Sequence, residues 1–203
     1  MAGIAPHTVA LAVASLGLLA CGSVAGGPAR SAAPASPHDR PLQLPAVAQG
    51  ASCPVSPQVR VPPGPGGVYP KPIPAYAFGK GPAYLSGQLS WYAGPPGQAA
   101  LVLVDGTYTG RILIRARALG GGGAITLAPQ DIPPEHRLPT MLPPGTATAD
   151  GVEAAVPTGT SGWSEWLGHL TVGAPGCYGV QVDGDSFTSV IVFAVQAGPI
   201  PPG

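Results

Sequence analysis

Glycine and proline interrupt this chain so often, 31 Gly and 28 Pro among 203 residues, that no window sustains the apolar spacing of an amphipathic helix. Between the interruptions lie short apolar runs bounded by turn residues, which is the pattern of strands. Eight runs read this way: 83–92, 99–104, 110–119, 123–128, 151–156, 166–172, 177–182 and 187–195. So many short strands bury their apolar faces by packing two sheets together. The expected fold class is therefore all-β, an immunoglobulin-like antiparallel β-sandwich of about seven or eight strands. Asp105-Gly106 and Asp183-Gly184 carry the Asx-Gly signal of tight hairpin turns, since glycine takes positive φ without a steric penalty. The four glycines 120–123 lack the following Lys-Ser/Thr and helix of a phosphate-cradling loop, and read instead as a flexible strand connection.

Charge is scarce, at 9% of residues against about 25% in typical soluble domains, and nine basic side chains balance nine acidic ones. So few Lys and Arg give no electrostatic footprint for a run of phosphates, so no nucleic acid partner is expected, nor a polybasic membrane patch. Disorder through charge repulsion is excluded as well, because the chain is neutral and 45% hydrophobic, with a mean hydropathy of +0.27.

From Val9 to Ala20 the chain reads VALAVASLGLLA, twelve uncharged residues where spanning a bilayer takes about 20. That length suits the apolar core of a signal peptide, although Met1 to Thr8 contain no Lys or Arg. The following Leu18-Leu19-Ala20-Cys21-Gly22 resembles the lipobox of bacterial lipoproteins. The resemblance implies cleavage before Cys21 and lipid attachment to it, with two or three acyl chains contributing ~0.8 kcal/mol per buried methylene. The membrane would then be a partner through a lipid anchor on Cys21, and the chain would be exported to the extracytoplasmic face. A cleaved secretory peptide with an incidental cysteine is the alternative.

With Cys21 assigned to lipid, Cys53 and Cys177 remain, and two cysteines outside the cytoplasm read as one disulfide. It would close a loop of more than a hundred residues, which chain entropy values at about 4.7 kcal/mol. Residues 1–21 are thus read as leader, 22–50 as a disordered Pro/Ala/Gly-rich tether, 51–74 as a Pro-rich extended arm, 75–197 as the sandwich and 198–203 as a frayed tail.

Alternation along 111–117 places Ile112, Ile114 and Ala116 on one face and Arg111, Leu113, Arg115 and Arg117 on the other. Such a strip is either a solvated face whose charges pair with residues such as Glu153 or Glu165, or a patch for an anion or acidic partner. Along 177–182 the same rule sends Tyr178, Val180 and Val182 inward and Cys177 outward with Gln181. The disulfide would then staple the arm to the outer face or edge of this strand, unlike the buried bridge of immunoglobulin domains. The run 190–195 is apolar on both faces, as suits a central or covered strand.

Catalytic signatures are weak, so no enzyme activity, catalytic residue, metal or cofactor is expected. His38 falls in the tether, His136 in a Pro-rich loop, and His169 in a strand without a partner at metal-ligand spacing. No G-x-S-x-G occurs, and Asp183-Gly184-Asp185-Ser186 has too few oxygen ligands for a calcium loop. The carboxylates Asp131, Glu135, Asp150, Glu153 and Glu165 lie in or near loops whose geometry sequence does not fix. The long stretch 128–162 is the best place for function, and it ends at Trp163 and Trp166. Tryptophans flanked by polar groups suit a carbohydrate or an envelope protein as ligand, while a core role would bury them.

Cys53-Pro54, Phe78-Gly79, Leu85-Ser86-Gly87-Gln88-Leu89, the strand at 112–116, Pro175-Gly176-Cys177-Tyr178 and the run 187–193 together resemble uncharacterised secreted bacterial β-sandwich proteins, with the stretch 128–162 departing from them. The resemblance implies a sandwich outside the cytoplasm and no assigned chemistry. The expected role is a lipid-anchored binding or structural module of the bacterial envelope, with a soluble secreted binding protein, or an enzyme sited near 128–162, as alternatives.

Overall fold

The longest alternating runs form the longest strands. A computed structural model describes residues 36–60, 76–86, 91–92, 98–137, 141–158 and 163–196. In chain order the strands are β1 (Gln58–Arg60), β2 (Tyr76–Phe78), β3 (Ala83–Ser86), β4 (Trp91–Tyr92), β5 (Gln98–Val104), β6 (Gly110–Leu119), β7 (Ile125–Pro129), β8 (Thr146–Ala147), β9 (Val152–Val156), β10 (Ser164–Val172), β11 (Gly176–Gly184) and β12 (Thr188–Gln196). Sheet 1 has the order β1-β2-β3-β5-β10-β7 and is antiparallel throughout. Sheet 2 is the antiparallel run β12-β11-β6-β9-β8, extended beyond β12 by the two-residue β4 in parallel. No helix among the described residues is long and apolar enough to cross a membrane.

The expected sandwich is present, and the period-two reading places its core. Leu85, Val102, Ile112, Ile114, Trp166, Leu170, Tyr178, Val180, Val182, Ile191 and Phe193 are buried together between the sheets. Each large apolar side chain taken from water there contributes about 1.5–3 kcal/mol. Trp166 bends over Gly168, two residues on along β10, where a side chain would collide with its ring. Its indole N–H is satisfied by the Pro144 carbonyl at 2.8 Å.

Several local expectations are corrected. Asp183-Gly184 is not the hairpin turn, because both residues belong to β11 and the chain reverses at 185–187, where the Gly184 N–H donates to the Phe187 carbonyl. Asp183 is the better strand residue because its carboxylate finds partners under the N-terminal segment. Asp105-Gly106 does turn, with the Tyr108 N–H on the Asp105 carbonyl, but it passes the chain from sheet 1 to sheet 2 and joins no hairpin. The run 83–92 is split between sheets, β3 in one and β4 in the other. The glycines 120–123 are a tight crossover: Gly120 and Gly121 have φ of 61° and 94°, and a Cβ at Gly123 would lie 2.9 Å from the Ala174 nitrogen.

The largest correction concerns 22–50 as a disordered tether. Residues 36–50 of it are ordered on the outer face of sheet 2, with a 3-10 turn at Pro37–Asp39 capped by the Ser36 hydroxyl. The physical reason is complementarity. Leu44 covers Gly179, whose Cβ would lie 2.7 Å from the leucine Cδ2, and Val47 covers Gly120 in the same way. The arm continues along β12, exchanging the Ser56 N–H for the Val192 carbonyl and the Val192 N–H for the Ser56 hydroxyl. It then enters sheet 1 as β1. Residues 36–60 thus form a strap that begins on one sheet and ends as a strand of the other, so the sandwich does not start at 75. Cys21, residues 22–35 and 61–74, and the tail 198–203 lie outside the described residues.

Candidate functional site

The strap meets sheet 2 over a polar centre that the strand alternation prepares. Odd-numbered residues of β11 face outward, so Gln181 and Asp183 follow Cys177 and Gly179 on that face, yet both are fully buried. Asp183 accepts from Arg115 Nη2 at 2.5 Å, from Gln181 Nε2 at 3.0 Å and from the Thr188 hydroxyl at 2.7 Å. Gln181 accepts from the Gln43 N–H at 2.6 Å and donates to the Pro41 carbonyl at 3.0 Å. Arg40 reaches Thr188 and the Asp185 carbonyl, and Arg115 also donates to the Arg40 carbonyl. A buried carboxylate is tolerated because a guanidinium and two neutral donors surround it.

The strap's first turn is held by a hydrogen bond to a carboxylate. His38 Nε2 lies 2.9 Å from Glu153 Oε2, and its Nδ1 lies 3.8 Å from Asp150. The hydrogen bond from His38 is the main cause that holds the Glu153 carboxyl below its ordinary value; burial opposes it, and the Arg111 guanidinium, 3.3 Å away, adds to it.

Cys53 and Cys177 form the expected disulfide, with an S–S distance of 2.02 Å and 5.4 Å between Cα atoms. It lies on the outer side of β11 with Leu44, Val47, Leu119 and Val192 around it, as the alternation from Tyr178 to Val182 requires.

The arginine strip is dispersed. Arg111 pairs with Glu153, one of the two partners expected for a solvated face, and Arg115 is spent on Asp183 beneath the strap. Arg117 is exposed, in register with Gly179. The three arginines therefore do not form one anion patch. The tryptophans separate as well, because three residues along a strand reverse the face. Trp166 is in the core, while Trp163 sits half-buried on the outer side of sheet 1, edge-on to Tyr84 with ring centroids 5.5 Å apart. Ala77, Leu103, Val59 and Leu101 complete that outer cluster.

The stretch 128–162 is not one open functional loop in its described parts. Leu142 enters the core and donates its N–H to the Glu165 carbonyl, Pro144 receives the Trp166 indole, and β8 and β9 extend sheet 2. His136 is exposed in a 3-10 turn, and His169 stands in register between Ala99 and Ala128. No cluster of three His, Cys, Asp or Glu suited to a metal occurs among the described residues.

The residues that sequence reasoning missed are His38, Arg40 and Gln43. Their signal is faint: a charged triplet His38-Asp39-Arg40 followed by Leu42 and Leu44 at strand spacing, inside an otherwise Pro/Ala/Gly-rich stretch.

No family model matches this chain, and no curated protein matches it. Among solved structures, the crystal structure of BslA, a bacterial hydrophobin, matches with a TM-score of 0.30 and 15% identity, over 57% of this chain and 96% of that one. So distant a likeness assigns neither a family nor an activity.

Proposed function

We propose that this chain is a non-catalytic module on the extracytoplasmic face of a bacterial membrane, held there by lipid on Cys21, and that its sandwich serves as a structural element of the envelope. The observation that carries this reading is the Cys53–Cys177 disulfide, which locks the segment nearest the leader across sheet 2. Such a bridge persists in oxidising compartments, and one closing so long a loop stabilises the fold there. The arginines support a structural role, since Arg111 and Arg115 are spent on Glu153 and Asp183.

A second reading, favoured by the Trp163–Tyr84 pair, is a binding module that offers the outer cluster of sheet 1 to a carbohydrate or an envelope protein. Both readings share the anchor, which is tested by expressing the full chain and a Cys21→Ser variant in bacteria fed labelled palmitate. The full chain is expected to sediment with membranes and carry label, and the variant to do neither. A full chain that is soluble and unlabelled would contradict the anchor.

A further inference from the structure

The strap crosses sheet 2 twice, near Gln43–Pro45 and again near Pro54–Pro57, and the two passes do not close over β12. Between them lies a trough of about 500 Å³. Its floor is the outward side chains Val190 and Val192, its walls are Pro45 on one pass and Val55 on the other, and Lys80 also lines it. This size falls within the range of small-molecule sites, ~300–1,000 Å³.

Two independent features suggest an occupant. Val55 is 46% exposed, the large hydrophobic residue left most open to solvent among the described residues, and it stands in the trough wall. Lys80 is exposed in the turn between β2 and β3, and among the described residues no carboxylate lines the trough with it. The three hydroxyls there are already engaged, the Ser56 hydroxyl accepting from Val192, Thr188 donating to Asp183 and Ser189 donating to the Gly81 carbonyl, and the Gln43 amide is neutral. An apolar floor beside one cation, with no anion, complements a molecule with an aliphatic body and one negative head.

We propose that this trough binds amphiphilic monocarboxylates, with the tail on Val190, Val192 and Val55 and the carboxylate on the Lys80 ammonium. A single flexible ammonium acts as a point charge, and one such cation balances the single negative charge of a carboxylate head. The site does not depend on the lipid anchor and stands whether or not Cys21 is acylated.

The test is titration of the oxidised mature protein with sodium decanoate below its aggregation threshold, followed by amide chemical shifts. Decanol, acetate and decyltrimethylammonium serve as comparison ligands. Saturable shifts confined to 43–45, 54–57, 80–81 and 188–192 are expected with decanoate. Acetate and decyltrimethylammonium should give none, and Lys80→Gln, a change on an exposed side chain, should weaken decanoate about tenfold, equal to ~1.4 kcal/mol. Val55→Ser should weaken it as well. Absence of saturable shifts, equal binding of decanol, or unchanged affinity in Lys80→Gln would each overturn the proposal. Shifts centred on Trp163 and Tyr84 would overturn it too, by placing the ligand on sheet 1.

Discussion

Asp183 holds the Arg115 guanidinium at 2.5 Å on the outer face of a sheet, yet the carboxylate is fully buried, because the strap residues Arg40, Pro41 and Gln43 lie over it. Asp183→Ala should therefore destabilise the fold by about 3–5 kcal/mol, the cost of leaving a buried charge without its partner. Urea denaturation of the oxidised protein measures it. A loss below 1 kcal/mol would mean that water reaches Arg115 and that the strap does not seal this centre.

The same strap leans on glycine. Leu44→Ala removes a half-buried side chain from the hollow at Gly179 and should cost about 1–2 kcal/mol. Gly179→Phe fills the hollow from below and should lift the segment. Amide exchange along 42–47 would then accelerate while exchange in the core strands β6 and β11 stays slow.

Acid should loosen the strap's first turn. Since Glu153 has its carboxyl lowered in the folded state by His38, its contribution is present above the ordinary carboxylate value of 4.5 and is lost as pH falls through the lowered native value. The oxidised wild type should thus lose more stability between pH 5 and pH 3 than Glu153→Gln, by less than ~1 kcal/mol because the pair is partly solvated. Parallel denaturation curves across that window decide it.

Tryptophan makes the two faces of β10 distinguishable. Trp166→Ala should cost about 3–5 kcal/mol, as a core ring with a satisfied indole, and Trp163→Ala about 1 kcal/mol. Acrylamide should quench the emission lost in Trp163→Phe more efficiently than the emission lost in Trp166→Phe.

Much of the sandwich is legible in the sequence because strand periodicity reports which face a side chain takes. The alternation at 177–182 places Tyr178, Val180 and Val182 in the core and Cys177 outside, and from that follows the position of the bridge to Cys53. What periodicity cannot report is which strands become neighbours. Arg111 and Arg115 share a face in any register, but their separation into a surface pair with Glu153 and a buried pair with Asp183 is set by the strap passing over one and not the other. The strap itself is hidden for a related reason. Its order comes from hollows at Gly179 and Gly120 and from Gln181, all more than seventy residues away in sequence, while its own composition is that of a linker. Asp183-Gly184 misleads because a turn dipeptide has the same letters as a buried acceptor followed by a residue that leaves room for the Phe187 ring.

Removing the bridge should be costly but not fatal to the topology. Cys53→Ser with Cys177→Ser should lower stability by about 2–5 kcal/mol, given the 124-residue separation, and should release the strap before the sheets part. Amide exchange that rises across 36–57 ahead of global unfolding is the expected sign.

Intact mass of the protein taken from its native membrane, with alkylation before and after reduction, tests the central claim most directly. The expected result is a chain beginning at Cys21 with added acyl mass, and two thiols, Cys53 and Cys177, that alkylate only once reduced. An unacylated chain whose Cys53 and Cys177 alkylate without reduction would contradict both the anchor and the strap that the bridge locks in place.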